Sequence, residues 1–161
     1  MYKKILLFAA VFGAAFSLSA QTDRPDGAFE KYEAEAVEQD KALVVMFGGN
    51  WCPHCAKFEK DVLKKKPFKD YMKESLIFLK VDPGKKGFDD FDKNFRAEKP
   101  RGKEAEKMLQ KVADFKKHYG IKGVPNIWIY NKSEKKWKFL GRRPSAAEFV
   151  DAIRDFEAKN K

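Results

Sequence analysis

Cysteine and histidine are nearly absent: the 161 residues contain two of each. That scarcity excludes the dense disulfide framework on which small secreted folds depend. It also removes the second Cys/His pair that a structural zinc site needs. There is no internal repeat, and no feature calls for a second domain. The apolar stretch over residues 5–18 falls below the ~18 residues that favour a membrane span. What remains to explain is where the two cysteines sit, in the stretch VVMFGGNWCPHCAKFEKDVL.

The N-terminus has Lys3 and Lys4, then the apolar stretch, then small residues at Ser19 and Ala20. This order predicts a secretory signal peptide over residues 1–20, cleaved near Ala20, with a loose leader over 21–27. The mature chain is then expected to be exported, soluble in a periplasm and without stable membrane insertion. Roughly 140 residues remain, which suits one domain with a real hydrophobic core. The formal charge of +10 falls to about +8 without the two lysines of the leader peptide, and it favours acidic surfaces without naming a partner. Because the lysines are dispersed among Glu and Asp, nucleic acid is not an expected ligand.

Hydrophobic periodicity orders the elements. Residues 28–39 predict a helix that turns Phe29, Tyr32, Ala36 and Val37 inward. ALVVMFG reads as a buried strand that ends at Gly48 and Gly49. Helical spacing follows from Pro53 to about Lys65, with Phe58, Val62 and Leu63 inward, and proline is tolerated in a first turn because its missing N–H would be unpaired there anyway. A short helix over 67–73, a strand in SLIFLKVD and a charged excursion over about 85–102 come next. Met108, Val112, Phe115 and Tyr119 form one helical face, with Gly120 as its stop. VPNIWIY and WKFLG predict an antiparallel pair. The Ser145 to Glu148 spacing then opens a last helix bearing Phe149, Ile153 and Phe156. The order predicts an α/β fold, a mixed sheet flanked by helices over residues 28–158, with a parallel crossover early and a hairpin late.

Cys52 and Cys55 fall where strand gives way to helix. A sulfur near a helix N-terminus meets unpaired backbone N–H groups and the positive end of the dipole, and both favour thiolate. A thiolate attacks disulfides, and a sulfur of low pKa also leaves well. Cys52 is therefore expected as the exposed attacker and Cys55, a turn inward, as the resolving thiol. Within the dipeptide Pro53-His54, the imidazole is a candidate stabiliser of the Cys52 thiolate, which would raise oxidising power. A purely structural disulfide would close too small a loop to constrain much entropy. A metal site built from Cys52, His54, Cys55 and His118 is awkward because two donors are adjacent. Haem attachment through C-x-x-C-H fails at Ala56.

With these residues in view, FGGNWCPHC and YGIKGVPNIWIY resemble the thioredoxin-like superfamily. The resemblance covers about residue 28 to the C-terminal helix, least securely over 85–102. It implies that Cys52 is the nucleophile and Cys55 the resolving cysteine, that Trp51 borders the redox centre, and that Pro125 follows a cis bond after Val124. The Val124 backbone would then pair with an extended substrate segment. Pro-His is also similar to the dipeptide of DsbA-type exported oxidants, although the excursion is too short for their inserted helical domain. Met46 stands where typical cytoplasmic thioredoxins carry a buried aspartate. Lys80, on the neighbouring strand, is read either as an electrostatic influence on the site or as facing solvent.

The expected function is an exported thiol-disulfide oxidoreductase of protein or peptide cysteines. It needs no external cofactor and no metal, and an unidentified redox partner resets the pair. Pro53-His54 leans toward oxidation, while reduction and isomerisation stay open. The alternative is a non-enzymatic envelope interaction domain whose cysteine pair is permanently oxidised.

Overall fold

The runs ALVVMF and LIFLKV are buried at every position, as expected for strands covered on both faces. In the computed structural model, which describes residues 28–49, 51–81 and 102–160, they form β1 (Ala42–Phe47) and β2 (Leu76–Val81), paired in parallel from Ala42↔Leu76 to Phe47↔Val81. β3 (Asn126–Asn131) runs antiparallel to β1, and β4 (Lys136–Phe139) antiparallel to β3, so the order is β2-β1-β3-β4. The final turn is held by Asn131 Oδ1, which accepts from Ser133 Oγ at 2.8 Å and from the Glu134 N–H at 3.0 Å.

Among the described residues five helices cover this sheet: α1 (Glu30–Glu38), α2 (Pro53–Phe58), α3 (Lys66–Ser75), α4 (Lys103–His118) and α5 (Ala146–Lys159). α4 stops at Gly120, whose φ of +60° suits glycine. α5 starts at Ser145, whose Oγ accepts the Glu148 N–H at 3.3 Å. The residues after α2 widen into a π-helical turn, Glu59–Leu63, with the Lys64 N–H reaching back to Glu59 O. A single helix was expected there; the extra residue in the turn lets Phe58, Val62 and Leu63 all be buried. Val37 also departs from expectation, being 57 % exposed, because the inward stripe of α1 is carried by Tyr32, Glu33 and Ala36. The expected signal peptide and leader over residues 1–27, the expected excursion up to residue 101 and the Met108 side chain lie outside the described residues.

Alternation along the strands divides the core in two. Ala42, Val44, Met46, Leu76, Phe78, Ile127 and Ile129 meet α2, the π turn, α3 and α5. Leu43, Val45, Phe47, Ile77, Leu79, Trp128 and Tyr130 meet α1 and α4 on the other side. The first of these faces carries both cysteines.

Candidate active site

β1 delivers the chain to the cysteines through Gly48, whose N–H donates to Val81 O at 2.8 Å. A Cβ at Gly48 would lie 2.8 Å from Cys55 Sγ and 3.1 Å from Met46 Cε. Close packing against the Cys55 sulfur therefore requires glycine here, a demand the sequence reading had treated only as a strand boundary.

Cys52 is the N-cap of α2, with extended backbone at φ −97°, ψ 114° and Pro53 in the first turn. Its Sγ accepts the Cys55 N–H at 3.3 Å, one of the donors that a helix start leaves unpaired. The same sulfur donates to Val124 O at 3.7 Å, which joins residues 72 apart in sequence. The Val124-Pro125 bond is cis. Trp51 is 62 % exposed, and Pro53 and His54 are exposed beside it.

Two expectations change at this point. Cys52 was expected to be exposed, yet it is only 5 % exposed, and Cys55 is fully buried. The Cys55 N–H and the Val124 carbonyl both lie against the Cys52 sulfur. Lys80 does not face solvent: it is 2 % exposed. It follows Leu76 and Phe78 on the cysteine face of β2, in register with Met46, and it forms an ion pair with Glu59 on the π turn. The charge on this face thus comes from a helix acid and a strand lysine, since the fully buried Met46 supplies none.

Burial, a hydrogen bond to Cys52 and the neighbouring Cys52 charge push the Cys55 thiol up to about 12, opposed by a Gly49 backbone bond and by the positive charge of Lys80. Cys55 is thus the thiol that holds its proton. Both cysteines are free thiols. No hydrogen bond joins His54 to Cys52 among the described residues; the imidazole lines a groove toward the loop after β4. His118 is on α4, across the sheet, against Tyr119, so the structure does not bring it to the cysteines.

A family model for a thioredoxin-like domain matches residues 29–157. The chain belongs to that thioredoxin-like family. Among solved structures, the DsbH oxidoreductase is 23% identical over 77% of this chain and 78% of its own, with a TM-score of 0.53. A thioredoxin from Thermus thermophilus is 18% identical over 82% of this chain and 85% of its own, with a TM-score of 0.51. At such identities the likeness is one of fold. No curated protein matches the sequence.

Within this thioredoxin-like frame the sequence reading overlooked Glu59, although a signal was present. Cys55, Phe58, Glu59 and Val62 have the spacing of a single inward helix stripe, so an acid within it asked for a buried partner.

Proposed function

We propose that this thioredoxin-like protein is an exported thiol-disulfide oxidoreductase of protein or peptide cysteines, acting through Cys52 and Cys55. The observation that carries this reading is the placement of Cys52 Sγ, capped by the Cys55 N–H and set against the carbonyl that precedes a cis-proline. The fold contributes the helix start, and tertiary packing contributes the second segment.

In the reducing direction, the Cys52 thiolate attacks one sulfur of a substrate disulfide. The substrate S–S bond breaks, one substrate thiolate leaves, and a mixed disulfide forms. Cys55 then loses its proton and attacks Cys52 Sγ, which expels the second substrate thiolate. The substrate gains two electrons and the pair becomes a disulfide. In the oxidising direction each step reverses, and in either case a redox partner restores the starting state. The raised pKa of Cys55 keeps it from competing with Cys52 for the first attack. The nearby Lys80 charge favours its deprotonation, with Glu59 holding the ammonium in place. Trp51 and the Val124 backbone border the approach of the substrate. Export rests on the signal-like residues 1–20.

Titration of the pair against a defined thiol/disulfide buffer tests direction. A potential near ~−120 mV marks a disulfide donor, and one near ~−270 mV a reductase. Cys52→Ser should abolish exchange, while Cys55→Ser should accumulate a mixed disulfide. Normal turnover by Cys52→Ser would overturn the assigned mechanism, whereas slow exchange by the wild-type protein even with a small dithiol would favour the non-catalytic domain.

A further inference from the structure

His54 opens onto a surface that the exchange chemistry leaves unused. Between α2 with its π turn and the loop after β4 runs a groove of about 620 Å³. Its apolar lining comes from Phe58, Val62, Leu140 and Phe139, the last 64 % exposed. An exposed aromatic beside a groove is a surface suited to receiving a side chain.

The polar rim has one dominant sign. Lys57 is offset by Asp61, 2.6 Å away. Arg142 is exposed and makes no ion pair among the described residues. Arg143 is anchored through Nη1, which donates to Leu140 O at 3.2 Å and to Arg142 O at 2.8 Å; a guanidinium has five N–H donors, so this anchoring leaves others for a ligand. Two cationic charges thus stand without an acid among the described residues. Gly141, at φ +73°, makes the turn that presents these arginines. Past Phe139, Leu140 and Arg143, a second groove of about 500 Å³ has the opposite balance, with Glu148, Asp151 and Asp155 set against Arg143 and Lys159. Charge therefore changes sign across Phe139, and the basic side is the one next to the cysteines.

We propose that the basic groove binds an acidic segment of the substrate protein, carrying one apolar side chain among its carboxylates, within a few residues of the cysteine being exchanged. This rests on the redox reading above and adds a substrate class to it. Arginine forks match carboxylates, the apolar lining receives the side chain, and the acidic groove beyond Phe139 discourages a basic segment from the same path.

The test uses three peptides, each with one cysteine held in a mixed disulfide with a chromogenic thiol, whose flanking residues are Glu, Gln or Lys around one Leu. The second-order rate of thiol release is measured with the reduced mature protein. At low salt the Glu peptide should react about tenfold faster than the Gln peptide and the Lys peptide more slowly still, with the spread shrinking as salt is added. Arg142→Gln should narrow the spread, and Arg142→Glu should reverse the order of the Glu and Lys peptides. Equal rates for the three peptides with wild-type protein would overturn the proposal. A small chromogenic disulfide without peptide is run in parallel: its reaction with wild-type protein alongside equal peptide rates would refute the groove alone, whereas its failure to react would refute the redox reading and the groove with it.

Discussion

The two faces of the sheet have similar depth and different purposes. Across from the cysteines, Phe29, Phe47, Phe115, Trp128 and Trp137 pack edge to face with ring centroids 5.4–6.3 Å apart. The buried acid there, Glu33, accepts from Trp137 Nε1 at 2.9 Å, a neutral donor. On the cysteine face the acid is the partly buried Glu59, which is instead matched with a charged lysine close enough to act on Cys55. Aromatic packing of the first kind stabilises without leaving a reactive group. The second arrangement keeps a full positive charge under a thiol, which a protein maintains only against a desolvation cost. The difference teaches that the chemistry is confined to one side of β1, and that the other side serves to hold β1 still.

The largest contrast should be chemical. With Cys55 raised to about 12, its thiolate fraction at pH 8 is about a thousandfold below that of an ordinary thiol, since each pKa unit is tenfold. Mass spectrometry after iodoacetamide treatment of the reduced protein should show Cys52 modified and Cys55 intact. The same shift sets a stability trend. Because the folded pKa lies above the unfolded one, the stabilisation is complete below about pH 9 and is lost as pH rises toward 12. The oxidised protein has no such thiol and should lack that contribution, which urea titrations of both forms at rising pH would show.

Phe115→Ala, which hollows the aromatic face, should cost about 3–5 kcal/mol in urea denaturation and leave the reduction potential unchanged. A shifted potential would mean that the two faces are not independent. Lys80→Met should cost about 3 kcal/mol, because Glu59 is left partly buried without its partner. Adding Glu59→Gln should recover much of that loss, while resolution of the mixed disulfide stays slow in both variants. The smallest effect belongs to the neutral pairing: Trp137→Phe removes one hydrogen bond to Glu33 and should cost about 1 kcal/mol with exchange unaffected.

The strands and the cysteine helix were legible because their signals are local. LIFLKV and ALVVMF could be buried only as covered strands, and Ser145 with Glu148 marked the start of α5. Lys80 was misread as a possible surface residue because one charge in a buried run says nothing about its partner, and Glu59 lies on a different element. The π turn left no mark, since Phe58, Val62 and Leu63 are compatible with an ordinary helix. Cys52 was expected open because a helix N-terminus alone is open. Val124, whose carbonyl lies against it, arrives from 72 residues away.

By itself the sequence determined that a C-x-x-C pair would stand at the start of a helix fed by a buried strand, because strand and helix periodicities and the tolerance of proline in a first turn act over a few residues. Only the tertiary structure decided which groups would surround the pair. Pairing β1 with β2 in one register puts Lys80 beside Met46 beneath the cysteine helix. Pairing β3 with both β1 and β4 brings Val124 to Cys52 and the arginines after β4 to the groove shared with His54. A one-residue slip in either register would send these side chains to the opposite face.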